Sequence, residues 1–218
     1  MPRKNNPALT KEKILTVSSE LFMSKGYENT SMQEIVNESG VSKGSIFHHF
    51  NSKEEILDTL VYARFEANKN ILNKKLNDIK YLKLTAREKI THLLLHNIDI
   101  HMDANILKVM AKCPSITRKV MDITINKLTY FFYPIFQEGI EDGSITCHSP
   151  VECIQVFLLL YNEWCDPLIF ECDLTTIYNR FSFLQDTMKR LGADIITNEV
   201  ISANMQLFEK FQLSSDSC

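Results

Sequence analysis

Signals that start and stop helices recur along the whole chain, and almost nothing in it reads as a strand. A Ser or Thr followed three residues later by Glu can close a capping box, each side chain answering the other's backbone N–H. Four such pairs are present: Ser31 with Glu34, Ser52 with Glu55, Thr85 with Glu88 and Ser149 with Glu152. Pro150 follows the last at the first helical position, where its missing N–H costs nothing. Gly26, Gly40, Gly143 and Gly192 fall where periodic segments end, as helix stops do.

The apolar periodicity agrees with this punctuation. Ile14, Ser18, Leu21 and Phe22 line one face of a first helix; Met32, Ile35, Val36 and Ser39 line a short second one. A long helix after Ser52 should bury Ile56, Leu57, Leu60, Val61, Phe65, Ile71, Leu72, Leu76 and Ile79. Further helices are expected over about Ala86 to Met102, Ala104 to Ala111, Ile116 to Glu141 with a bend at Pro134, Pro150 to Cys165, Leu174 to Leu191 and Asn198 to Phe211. The expected fold is all-α, with nine to ten helices. It divides into a three-helix head, residues 1–52, and a helical body, residues 53–218.

Composition excludes several classes. The longest apolar stretch, Val156 to Tyr161, is far short of a membrane span. The start is polar and carries no apolar export segment, so the expected location is the cytoplasm. The six cysteines show no C-x-x-C spacing and are expected as reduced thiols rather than disulfides or a zinc site. No cofactor is expected. Net charge is −3, and the first sixty residues hold seven Lys/Arg against eight Asp/Glu. Any affinity for nucleic acid must therefore come from placement of the basic residues, not their number.

Ser39 to Phe50 supplies that placement. Gly40 allows a tight left-handed turn, Val41 can plug the angle between two helices, and Ser42 can cap a third helix. Lys43, Gly44 and Ser45 then occupy its first turn. Two short helices joined by a Gly-containing turn are the helix-turn-helix pattern, whose second helix enters the major groove by its leading end. Small residues there permit close approach, and Lys and Ser supply donors to phosphates or base edges.

Tyr27, Thr30-Ser31-Met32, Ile35, Gly40-Val41-Ser42-Lys43-Gly44, Phe47-His48-His49-Phe50 and Ser52-Lys53-Glu54-Glu55-Ile56-Leu57 together resemble the DNA-binding head of the tetracycline-repressor (TetR) family. The likeness spans roughly residues 10 to 57. It implies a homodimer on a near-palindromic duplex operator, with recognition helices roughly 34–36 Å apart in successive major grooves. By position, Lys43, Gly44, Ser45, His48 and His49 would face the groove, while Thr30, Ser31 and Lys53 would hold phosphates; Ser42 and Phe47 complete the expected DNA-binding set. Arg3 and Lys4 suit either a minor-groove arm or a free tail. The family usually has Tyr at Phe47, with its hydroxyl on a phosphate. Phe47 is expected to keep the packing role and lacks that contact.

Gly40 to Gly44 also satisfies G-x-S-x-G, the hydrolase nucleophile elbow, but that motif needs a strand before the Ser. Met32 to Ser39 has helical spacing instead, and no acid, base and nucleophile set is readable elsewhere, so no enzyme is expected.

The body should sense a small molecule. Ile90, Leu94, Asn97 and His101 share one stripe. Phe132, Phe136, Tyr161 and Trp164 add aromatic surface, fitting a largely apolar effector or, equally, plain core. His92, His96 and Asp99 have a spacing that suits a metal or a solvated face, and no metal is assigned. The helices near 150–165 and 174–191, the second with Leu174, Ile177, Tyr178, Phe181, Leu184, Met188 and Leu191, are expected to pair with their copies in a dimer. The rival to a ligand-released repressor is a helical adaptor or sensor that no longer binds DNA.

Overall fold

A computed structural model describes residues 6–97, 113–167 and 169–215, with only the backbone of 96, 97 and 211–215. Arg3, Lys4, Asp99, His101 and the expected helix Ala104 to Ala111 lie outside the described residues, as do the side chains of His96 and Asn97. Among the described residues every regular element is helical. None of these helices is long and apolar enough to cross a membrane. The chain divides into two compact units, Met1–Glu66 with Lys108–Val120, and Ala67–Leu107 with Met121–Cys218.

The first unit holds α1 (Pro7–Lys25), α2 (Met32–Ser39), α3 (Lys43–His49) and the opening turns of α4 (Lys53–Leu76). Helix α1 buries Ile14, Ser18, Leu21 and Phe22, the four residues its periodicity selects. The Ser31–Glu34 box is closed in both directions at the start of α2. At α4 the box is half made: Ser52 caps the Glu55 N–H at 3.3 Å, but the Glu55 carboxylate accepts from the Asn51 N–H at 2.8 Å instead. Ile56, Leu57, Val61 and Leu72 are buried along α4, whereas Ile71 and Ile79 are exposed. The helix ends at Leu76, so Ile79 falls in a turn where the helical period no longer aims it inward.

The second unit carries α5 (Ala86–Asn97), most of the rod formed by α6 (Pro114–Ile123), a π turn (Thr124–Leu128) and α7 (Thr129–Glu141), then α8 (Pro150–Leu159) running into a second π turn (Leu160–Trp164), α9 (Leu174–Arg190) and α10 (Asn198–Ser215). Pro134 is carried inside α7, and the irregularity of this rod lies earlier, at Thr124–Leu128. Thr85 and Glu88 close their box in both directions, and the Asp142 carboxylate accepts the Ala86 N–H at 2.9 Å, so α5 is capped from within and from a distant loop. The Ser149–Glu152 box does not form. Ser149 has φ −127° and ψ 75° and makes no side-chain cap, leaving α8 started by Pro150 alone.

One apolar core fills this unit, built on Phe132, Phe136, Phe157, Phe181, Leu184 and Met188 with α10 residues Val200, Ile201 and Phe208. Lys89 is buried and ion-paired to Glu138. The described cysteines are free thiols. Burial, and then a hydrogen bond with the Cys147 thiol, push the Cys153 thiol up, away from the thiolate form.

Candidate nucleic-acid interface

The turn between α2 and α3 is built by three adjacent residues. Gly40 sits at φ 58°, ψ 20°, in the left-handed region where a side chain would meet its own backbone. The Val41 N–H donates to the Ser39 hydroxyl at 3.3 Å, which holds the chain as it leaves α2. Ser42 then caps α3 by accepting the Ser45 N–H at 3.3 Å. Helix α3 has Ile46 fully buried and Phe50 just beyond its end, also buried, as its two anchors. The G-x-S-x-G serine is thus a helix cap preceded by a helix, without the strand a nucleophile elbow needs.

With Ile46 turned inward, Ser42, Lys43, Gly44, Phe47 and His48 are exposed, and Ser45 and His49 are half-buried. A Cβ added to Gly44 would meet nothing within 4 Å, so its surface is open to a close approach. Phe47 corrects the packing role expected of it. It is 41% exposed, with the Lys43 ammonium 5.9 Å from its ring, because Ile46 already takes the inward position one residue earlier.

The candidate phosphate-holding residues divide. Ser31 is exposed at the start of α2, but Thr30 is buried and its hydroxyl donates to the Gly26 carbonyl at 2.8 Å, closing the end of α1. Lys53 donates to the Tyr27 carbonyl at 2.9 Å and the Glu28 carbonyl at 3.3 Å, and stands 4.4 Å from the Tyr27 ring. That ring is buried against Phe22, with centroids 5.1 Å apart. Both roles were invisible in the sequence, since each depends on a partner carbonyl in a loop. Lys25 bonds Glu34 at 2.9 Å, and that contact, followed by the Ser31 N–H and hydroxyl, pulls the Glu34 carboxyl down to about 2. One acid and one base of the head therefore neutralise each other, while the Lys43 charge stays exposed.

In the body, Phe132 and Tyr161 both pack on the Phe157 ring, and the four expected ligand residues do not form one cluster. Phe132 and Phe136 are buried core. Tyr161 continues a run of rings, 5.5 Å from Phe157 and 5.7 Å from Phe181, and its hydroxyl meets Asn204. Trp164 stands 5.8 Å from Phe183 with the Arg180 guanidinium over it. A groove of about 280 Å³ in this unit is lined by other residues, Cys147, His148, Glu152 and Arg190 among them. Of the α9 stripe, Ile177, Phe181, Leu184 and Met188 are buried in the chain's own core, whereas Tyr178 and Leu191 are exposed, as is Phe183 beside them.

A helix-turn-helix with an exposed leading end, on an otherwise all-helical chain, defines a transcriptional regulator of the helix-turn-helix class. Residues 14–60 match the sequence model of the bacterial regulatory proteins of the tetR family. It is 22% identical over 162 residues to the HTH-type transcriptional repressor KstR2 of Mycolicibacterium smegmatis, covering 71% of this chain and 76% of that protein. With the uncharacterized regulator YxaF of Bacillus subtilis the identity is 50% over 56 residues, 25% of this chain and 29% of YxaF. Among solved structures, a TetR-family regulator of Mesorhizobium loti aligns over 97% of this chain and 98% of its own, with TM-score 0.57 and 18% identity. RolR in complex with resorcinol aligns over 92% and 95%, with TM-score 0.61 and 15% identity. These two likenesses are of fold. The matched relatives are regulators, and the chain is a regulator rather than an enzyme.

Proposed function

We propose that the chain is a repressor that binds a palindromic operator as a homodimer and is released by a small, mostly apolar effector. The observation that carries this reading is the leading end of α3, where Lys43, Gly44, Phe47 and His48 are exposed together while Ile46 anchors the helix from behind. Lys43 and His48 supply donors, and Gly44 lets the helix come close to the groove floor. Residues 1–52 act as the DNA-binding domain and residues 53–218 as the ligand-binding and dimerisation domain, in the cytoplasm.

Dimerisation uses the outer faces of α8 and α9. Val156 on α8 and Tyr178 and Phe183 on α9 are 40%, 52% and 59% exposed, a set of large apolar groups that a second copy would cover. The effector enters the aromatic core of the second unit. RolR was solved with resorcinol, a small aromatic molecule, which supports the same class of ligand here. To move nearly all the protein from bound to released, an effector must favour the released form by about 5.5 kcal/mol.

A mobility-shift titration against the DNA flanking the chain's own gene tests the reading. The expected result is a dimeric complex whose affinity falls steeply with salt. Salt-insensitive or absent binding would mean an adaptor that has lost its operator.

A further inference from the structure

Glu163 is 4% exposed, and neither of its carboxylate oxygens has a hydrogen-bond partner. The other buried charge among the described residues, Lys89, is paired with Glu138. An ionised carboxylate removed from water without a partner is strongly disfavoured, and a fold that keeps one has left a donor's place open.

The backbone explains how an acid came to be inside. Glu163 lies nine residues after the fully buried Ile154, two and a half turns at about 100° per residue, so an unbroken α-helix would set it on the opposite, outward face. Helix α8 instead passes into the π turn Leu160–Trp164, closed by the Cys165 N–H donating to the Leu160 carbonyl five residues back at 2.9 Å. The wider turn rolls Glu163 inward. Single π turns are uncommon and tend to occur where function requires the register change. The nearby cation does not answer the acid: Arg180 donates to the Trp164 carbonyl at 2.7 Å and stands over the Trp164 and Phe170 rings. Burial, and then the charge of Asp166, raise the Glu163 carboxyl to about 7, so below neutral pH a proton takes the place a cation would take.

We propose that Glu163 anchors the effector, accepting the ammonium or amidinium group of a ligand whose apolar part lies among the aromatic rings around Tyr161 and Trp164. This rests on the reading of the body as a small-molecule sensor and adds the ligand's charge. Two free carboxylate oxygens match paired N–H donors, and aromatic faces favour a cation over a neutral group of the same shape.

Two soluble pairs test it on the full-length protein: benzamidine against benzamide, and 2-phenylethylammonium against 2-phenylethanol. Trp164, the chain's single tryptophan and the neighbour of Glu163, reports binding by its fluorescence. Each cation is expected to bind about tenfold or more tighter than its neutral isostere. In Glu163→Gln that preference should fall to about threefold or less. Calorimetry of the unmodified protein at pH 6.5 in two buffers of different ionisation heat should show a proton released as the cation binds. Equal binding of the isosteres, no cation binding up to about 10 mM, no proton release, or a preference that survives in Glu163→Gln would each overturn the proposal. None of these readouts uses DNA. A chain that failed to bind its operator would sink the repressor reading and leave the cation site standing, while a normal operator complex with no cation preference would do the reverse.

Discussion

The Lys53 ammonium donates to the Tyr27 carbonyl at 2.9 Å while standing 4.4 Å from the Tyr27 ring, so one side chain ties the start of α4 to the loop between α1 and α2. With the second bond to Glu28, two of its three donors are engaged and one remains for a phosphate. Lys53→Met is therefore expected to lower stability by about 1 kcal/mol. It should also take about one unit from the slope of log affinity against log salt. Thermal melts and operator titrations at several salt concentrations check the two effects separately.

Lys43 is exposed, with the Phe47 ring 5.9 Å from its ammonium. Lys43→Ala should leave the melting temperature unchanged and cost about 1–3 kcal/mol of operator binding. Combined with His49→Ala, it should abolish preference for the operator over unrelated duplex. Retained selectivity in the double variant, measured by competition, would show that α3 does not read the bases.

Phe47 is 41% exposed beside the groove-facing residues, and the family resemblance implies a phosphate-binding tyrosine at its place. Phe47→Tyr adds a hydroxyl with no burial cost. Operator affinity should rise about fivefold, the worth of one hydrogen bond of about 1 kcal/mol. Fluorescence anisotropy on a labelled operator measures it, and an unchanged affinity would place the ring away from the backbone.

Glu163 gives the body a definite pH dependence. Its carboxyl sits at about 7 when folded against an ordinary 4.5, because burial disfavours the charge. Below pH 4.5 folded and unfolded chains are both protonated there. As pH rises from 4.5 to about 7 the unfolded chain gives up its proton first, so stability declines by about 3 kcal/mol over that window and then levels off. Glu163→Gln should flatten this decline and be the more stable protein at pH 8. Urea denaturation between pH 5 and 8 tests it, and parallel curves for the two proteins would refute it.

Gly192 and Gly143 both have positive φ, at 83° and 75°, yet differ in their surroundings. A Cβ on Gly192 would lie 2.6 Å from the Thr146 hydroxyl and 2.7 Å from its carbonyl carbon, whereas one on Gly143 meets nothing within 4 Å. Gly143→Ala should cost about 1 kcal/mol, the left-handed strain alone. Gly192→Ala adds overpacking against backbone and should cost about 3 kcal/mol. Equal losses on denaturant unfolding would remove the packing part of this account.

The head was legible because its determinants are local. Gly40, Ser42 and the Ser31–Glu34 box act within four residues, and helical periodicity selected Ile14, Ser18, Leu21 and Phe22 without reference to any other element. The same local reasoning failed at Ser149, where hydroxyl and glutamate have the right spacing but the backbone at φ −127°, ψ 75° does not make the cap. It failed again at Phe47, whose neighbour Ile46 holds the inward position.

An all-helical chain, the turn between α2 and α3, and the exposed leading end of the next helix follow from the sequence alone, because caps, left-handed turns and the period of 3.6 are properties of a few consecutive residues. Which carbonyls Lys53 and Thr30 would meet, that Ile177, Phe181, Leu184 and Met188 would face their own chain's core, and that a π turn would carry Glu163 inside were decided only by the tertiary structure. Those outcomes depend on which surfaces far apart in the chain come to lie together, and on the one-residue register change that lets them pack.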